Sequence, residues 1–239
     1  MDKESQYLGK DLEAMASAKN YYQWELSEVR AYLGQRVAEV GAGCGHFSKN
    51  LLETPICCLH AFEPSKNMYD LLEQALRKDA RAKAIHGNFN NPDGAVRYDS
   101  ILYINVLEHI EQDEQELTHA RESLAANGFL VIFVPALAFL YSDFDKQIGH
   151  YRRYNKKGLS ALVKKAGFSI VKVKYFDMLG MILWYLHFVV MKRTMTGASV
   201  SIYDRFCVPV LRFFERLIPP LIGKNILLIA QKDPRVQQS

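Results

Sequence analysis

Residues 36–47, Arg-Val-Ala-Glu-Val-Gly-Ala-Gly-Cys-Gly-His-Phe, constrain the fold of the whole chain. Residues 37–40 read as a short apolar strand, and glycine stands at 41, 43 and 45, where the chain must turn before a helix from about His46. Glycine takes positive φ without steric cost and leaves the backbone bare for a close approach. The N–H groups that open the next helix have no intrahelical partner and favour an electron-rich group. Strand, glycine turn and helix in this order form a nucleotide-type binding turn. An ordinary tight turn would not need three alternating glycines behind Glu39.

The rest of the chain alternates strands and helices. Residues 8–33 place Tyr22, Leu26, Val29 and Leu33 at helical spacing, and Gly34 stops them. Apolar strands are predicted at 56–62, 82–86, 98–105, 129–134, 169–176 and 225–230. Helices are predicted at 46–53, at 65–78 with Ser65 as cap, at 113–126 ending at Asn127-Gly128, and at 155–166 with Asn155 as cap. Apolar strands alternating with helices imply an α/β fold, a doubly wound, mostly parallel seven-stranded sheet with helices on both faces. Ligands of such sheets sit outside the carboxyl ends of the strands, at the topological switch point. One domain over 1–239 is expected, with an N-terminal helical region at 1–35 and a helical cap insertion at 177–222 before the last strand.

The acid-x-Gly-x-Gly-x-Gly pattern at 39–45 resembles the first motif of the class I S-adenosylmethionine-dependent methyltransferases. Asn-Val-Leu-Glu-His-Ile at 105–110 resembles the fourth-strand motif of the same superfamily. The resemblance covers residues 21–176, and the last strand fits it too. It implies a Rossmann-like methyltransferase fold, S-adenosyl-L-methionine as cofactor and methyl transfer as the reaction. Glu39, Gly41, Ala42 and Gly43 then form the cofactor turn, and Asn105 and Val106 meet the methionine end by position. Glu63 stands 22 residues after Gly41, at a strand end, where a carboxylate accepts both ribose hydroxyls. Pro64, Ser65 and Met68 make a wall for the adenine, and Tyr22, in an aromatic run, roofs the cofactor. The superfamily often has an acid where this chain has Asn88; its amide oxygen accepts the adenine amino group without a charge, and Phe89 offers its backbone N–H. His109 points near the transferring methyl. Two readings compete: a module that binds the cofactor without turnover, and a nicotinamide-dependent oxidoreductase. The second needs Gly-x-Gly-x-x-Gly spacing, which this turn lacks.

On the acceptor side, residues 149–154, Gly-His-Tyr-Arg-Arg-Tyr, follow the fifth strand. Histidine is the residue type best suited to take a proton near neutral pH, which makes His150 the candidate base and His109 the second. Tyr151, Arg152, Arg153 and Tyr154 are assigned to the acceptor, with arginine forks suited to an anion. If the segment is extended, His150, Arg152 and Tyr154 share a face. The alternative is a hydrogen-bonded loop anchor, with Arg153 paired to Asp143 or Asp145. The cluster loosely resembles a bacterial methyltransferase subgroup associated with surface-glycan and lipid-linked pathways, which implies a small-molecule, apolar or lipid- or glycan-linked acceptor methylated on oxygen or nitrogen.

Charge adds one more constraint. Residues 1–150 carry 14 Lys/Arg against 22 Asp/Glu, whereas residues 151–239 carry 16 against 4. The basic part contains an uncharged run at 178–191, with Trp184 assigned to the acceptor. As a helix of about 1.5 Å per residue it is too short for a hydrocarbon core of about 30 Å. A basic amphipathic helix is expected over 202–218, with Phe206, Val210, Phe213, Phe214 and Leu217 opposite Arg205, Arg212 and Arg216, and a kink at Pro209. These segments are expected to cover the acceptor site and to allow a peripheral, reversible contact with an anionic membrane surface; a homodimer is an alternative use of the same surface. No nucleic-acid partner is expected. The four cysteines show no metal-ligand spacing, no metal is expected, and a polar amino terminus without a secretory pattern suits the cytoplasm.

Overall fold

A computed structural model describes residues 15–89, 96–192 and 196–233. The seven strands are β1 (Arg36–Val40), β2 (Cys58–Glu63), β3 (Ala82–His86), β4 (Tyr98–Ile104), β5 (Leu124–Pro135), β6 (Phe168–Phe176) and β7 (Asn225–Lys232). They form one sheet in the order β3-β2-β1-β4-β5-β7-β6. β1 pairs in parallel with β2 and β4, and β5 with β4, whereas β7 runs antiparallel between β5 and β6. The expected α/β sheet is therefore present. Its order reverses between β1 and β4, so the glycine turn after β1 stands at the switch point.

Both faces of the sheet are covered because its central strand β5 is apolar over residues 129–134. Val131 and Phe133 pack on one side, and Leu130, Ile132 and Val134 on the other. Successive strand residues point to opposite faces, so a run such as residues 129–134 needs a helical layer on each side. Those layers are built from α1 (Lys19–Val29), α2 (His46–Leu52), α3 (Lys66–Leu76), α4 (Asp113–Ser123), the short α5 (Asp143–Gln147) and α6 (Lys156–Lys165).

Two boundaries differ from expectation. Residues 8–14 of the predicted first helix lie outside the described residues, and α1 begins only at Lys19. Helix α4 stops at Ser123, and β5 takes up residues 124–127 through a bulge opposite β4, with Asn127 at φ 62°. The backbone turns extended at Leu124 (φ −77°, ψ 141°), which ends the helix early, and the left-handed Asn127 lies in the bulge by which the strand starts before the apolar run.

The insertion between β6 and β7 is helical. It contains α7 (Met178–Trp184), continued by wider turns over Tyr185–Val190, then α8 (Gly197–Ile202), wider turns over Tyr203–Cys207, and α9 (Val208–Leu217). Pro209 follows directly on the wider turns of Tyr203–Cys207, inside a helical run that continues from α8 into α9, so the ladder of backbone hydrogen bonds is loosened where its N–H is missing. Buried polar contacts fix the insertion to the domain. Asp204 accepts from the Asn20 and Tyr21 N–H groups, at 3.1 and 2.8 Å, and so caps α1, whose own N-cap, Ala18, has no side-chain acceptor. Glu215 accepts from the Asp177 and Met178 N–H groups at 3.1 and 2.8 Å. No helix among the described residues is long and apolar enough to cross a membrane.

Candidate active site

Three positive-φ glycines shape the turn after β1: Gly41, Gly43 and Gly45, at 65°, 57° and 82°. At Gly41 a Cβ would lie 2.6 Å from Val106 Cγ2, so glycine lets the end of β4 close against the turn. Glu63, at the end of β2, ties this turn to the start of α3. Its two carboxylate oxygens accept from the Gly43 and Ser65 N–H groups, each at 2.8 Å. Each oxygen has a second lone-pair direction for a ligand hydroxyl. Burial raises the Glu63 pKa, and these two N–H groups oppose the rise. Glu39 lies deeper, at 2 % exposure, and accepts from Ser48 Oγ. Burial pushes its pKa up to about 8 against that hydrogen bond.

A cavity of about 420 Å³ opens above the turn. One wall holds Tyr22, Glu39, Gly41, Ala42, Gly43, Glu63, Pro64, Ser65 and Met68. Asn105 and Val106 enter from the end of β4. Asn105 takes φ 54°, donates its N–H to Phe133 O at 2.7 Å and accepts from Asn225 Nδ2 at 3.3 Å. A further wall is formed by Glu108, His109, His150, Arg153 and Trp184.

That wall is a buried polar network. Asp145 has no exposed side-chain surface; it receives Arg153 Nη2 at 2.7 Å, Arg153 Nε at 2.9 Å and Ser142 Oγ at 2.7 Å, and lies 2.9 Å from His150 Nδ1. Burial would raise the Asp145 pKa, but the His150 hydrogen bond and the Arg153 charge outweigh it and hold the carboxyl below its usual range. The Arg153 guanidinium also covers the Trp184 ring at 4.7 Å, and Trp184 Nε1 donates to Leu140 O at 3.2 Å. His109 packs edge-on to His150 with ring centroids 4.6 Å apart; burial, then the charge of His150, pushes its pKa down to about 3. Glu108 is wholly buried, which lifts its carboxyl to about 7.

The structure separates the residues assigned from sequence. The cofactor-side set meets in one cavity except for Asn88 and Phe89. Asn88 is exposed, and the Phe89 ring is buried against Phe62 at 5.1 Å; neither lines the cavity. Among the acceptor-side residues, only His109, His150, Arg153 and Trp184 line it. Tyr151 is 54 % exposed. Arg152 pairs with Asp113 at 2.8 Å, and the Tyr154 hydroxyl donates to the same Asp113 oxygen at 2.8 Å. The expected shared face of His150, Arg152 and Tyr154 does not form. Gly149, at φ 86°, turns the chain, and the Asp145 carboxylate draws His150 and Arg153 together. Of the two anchors considered for Arg153, Asp145 is the one used. Sequence reading missed Asp145 and Glu108 as site residues. Ser142-x-x-Asp145 is a capping-box pattern, and Asp145 does cap α5, so its second task was hidden behind the first.

Residues 38–130 match a family model described as a methyltransferase domain. A search of the curated proteins found no match. Among solved structures, the chain is similar to a Haemonchus contortus phosphoethanolamine N-methyltransferase 2 in complex with S-adenosyl-L-methionine, at 14 % identity and TM-score 0.63, covering 93 % of this chain and 57 % of that one. A possible histamine N-methyltransferase from Thermotoga maritima aligns at 18 % identity and TM-score 0.62 over 95 % and 96 % of the two chains. A putative methyltransferase of Haloferax volcanii, in complex with the Trm112 activator, aligns at 12 % identity and TM-score 0.67 over 98 % and 100 %. At these identities the likeness is one of fold.

Proposed function

We propose that this chain is an S-adenosylmethionine-dependent methyltransferase, a reading supported by the methyltransferase-domain match over residues 38–130 and the fold of its structural neighbours, and that it transfers the methyl group to an oxygen or nitrogen of a small, apolar or lipid- or glycan-linked acceptor. The observation that carries this reading is the single cavity that joins the glycine turn and Glu63 to His150, Arg153 and Trp184. The turn, Glu63, Pro64, Ser65 and Met68 bind the adenosine, and Asn105 and Val106 bind the methionine end. Bound there, the cofactor supplies an activated methyl. The protein orients the acceptor, excludes water and receives the acceptor's proton at His150 Nε2, the nitrogen turned away from Asp145. The test is binding of S-adenosylhomocysteine by calorimetry. Glu63→Ala is expected to weaken it by about 1.5–3 kcal/mol, the range for hydrogen bonds to a charged group; an unchanged affinity would refute the assigned role.

The insertion supports the membrane part of the reading. α9 is turned inside out relative to an ordinary surface helix. Val208 and Glu215 face inward, while Phe213, Phe214 and Leu217, with Phe206 in the wider turns just before it, are 59–64 % exposed. The two carboxylates of residues 178–223, Asp204 and Glu215, are buried, and its exposed charged residues among those described are Lys192, Arg205, Arg212 and Arg216. An apolar face with cations and no exposed carboxylate complements an anionic lipid surface. In vesicle sedimentation the protein is expected to pellet with anionic vesicles and not with neutral ones. Salt should weaken the contact, since the Debye length is about 8 Å at physiological ionic strength. Equal recovery in the supernatant with both vesicle types would remove the membrane from the proposal and leave the surface to a second copy of the chain.

A further inference from the structure

The structure assigns a divalent metal site to Glu108, His109 and His150, on the acceptor wall of the cavity; what the ion does there rests on the methyl-transfer reading, whereas its binding does not. Each residue offers one ligand atom, a carboxylate oxygen or an imidazole nitrogen, and these atoms lie within 4.8 Å of one another. Two imidazoles and a carboxylate around a common space are a ligand set of first-row divalent ions, and they leave coordination positions open. Metal bonds of about 2.0–2.2 Å need the ligand atoms closer than this, so the three side chains draw inward on loading.

Two observations point to a cation. The first is Glu108. Its side chain has no exposed surface, and neither carboxylate oxygen has a hydrogen-bond partner in another residue. His150 Nε2 stands 3.8 Å from Oε1, beyond hydrogen-bond length. A buried polar group left in this state is costly, and an ion between the two side chains supplies its partner. The second is the support behind His150. Nδ1 meets Asp145 Oδ1 at 2.9 Å, so Nε2 is the nitrogen directed toward Glu108. A carboxylate behind the imidazole is the arrangement that orients metal-bound histidines and fixes their tautomer. Here Arg153 and Ser142 hold that carboxylate in turn.

The ion selects an acceptor oxygen. A coordinated hydroxyl loses its proton near neutral pH. The resulting oxyanion forms the new bond to the methyl carbon as the carbon–sulfur bond breaks. The electron pair of that bond passes to sulfur, leaving S-adenosylhomocysteine, and the proton goes to water. In this form of the enzyme His150 Nε2 is a ligand, and coordination performs the deprotonation assigned above to the bare imidazole.

The test uses full-length protein stripped with a chelator, without cofactor or acceptor. Mn²⁺ followed by electron paramagnetic resonance, and Co²⁺ followed by visible absorption, are expected to bind at one ion per chain. Asp145→Asn, a change at a positioning residue, should weaken binding about 10- to 100-fold. Glu108→Gln, which removes a ligand, should weaken it at least as much, with circular dichroism and S-adenosylhomocysteine affinity preserved. Glu63→Ala should leave metal affinity unchanged. Absence of stoichiometric uptake, or equal affinity in folded Glu108→Gln, overturns the site. Uptake of the ion by a protein that does not bind S-adenosylhomocysteine would sustain the site and sink the methyl-transfer reading; a protein that binds S-adenosylhomocysteine and takes up no ion would do the reverse.

Discussion

Replacing His150 with alanine is expected to cut turnover about 100- to 10,000-fold, the range for loss of a positioned proton acceptor. The ring is fixed by Asp145 at Nδ1 and turned toward the cavity at Nε2. It is held by Asp145, whereas Glu63 is held by Gly43 and Ser65, so calorimetry with S-adenosylhomocysteine should give nearly the wild-type affinity. The combination of lost turnover and retained cofactor binding identifies an acceptor-side group. His109 provides the control. It lines the same wall, and burial keeps it uncharged down to a pKa of about 3. If His109→Ala abolishes turnover while His150→Ala preserves it, the role moves to His109.

Asp145→Ala is expected to cost about 3–5 kcal/mol of folding stability, the range for breaking one side of a buried ion pair. The Arg153 side chain is 1 % exposed, and its short contacts are to Asp145 and to Ala136 O at 3.3 Å. Without Asp145 a guanidinium stays buried beside Trp184 with no hydrogen-bonded carboxylate, Glu108 acting on it only through space, and the α5 cap is lost with it. Denaturant unfolding measures the change as a lower midpoint at constant slope. A loss below about 1 kcal/mol would mean that water reaches Arg153 and that the network is not a sealed wall.

The fold was legible because apolar strand segments alternate with capped or glycine-ended helices, and the positions of the glycine turn and of Glu63 follow from the ends of the first two strands. The acceptor wall was less legible. Adjacent arginines in one pentapeptide went to different partners, Arg152 to Asp113 and Arg153 to Asp145. Alternation along an extended segment cannot foresee a left-handed Gly149, nor the pull of a carboxylate brought close by α5. The orientation of α9 was hidden for a related reason. Its apolar stripe is plain in the sequence, and an apolar stripe ordinarily faces the core. Here Glu215 is drawn inward by two backbone N–H groups at the start of α7, and the stripe turns outward. Glu108, His109 and His150 come from two loops that only the completed sheet brings together, so no local spacing could reveal them.

β7 is the last strand in sequence yet lies inside the sheet, with β5 on one side and β6 on the other. Until residues 225–232 are in place, residues 129–135 of β5 present a bare row of N–H and C=O groups, and β6 has no strand to join. During synthesis, β1 to β5 can assemble while this edge waits for a strand that emerges some ninety residues later, about 5–20 s at a ribosomal rate of about 5–20 residues per second. The nascent chain therefore passes through a half-sheet whose open side is among the most apolar parts of the molecule. A chaperone that shields strand edges has its natural interval between the emergence of β5 and that of β7, and the whole insertion is translated within it.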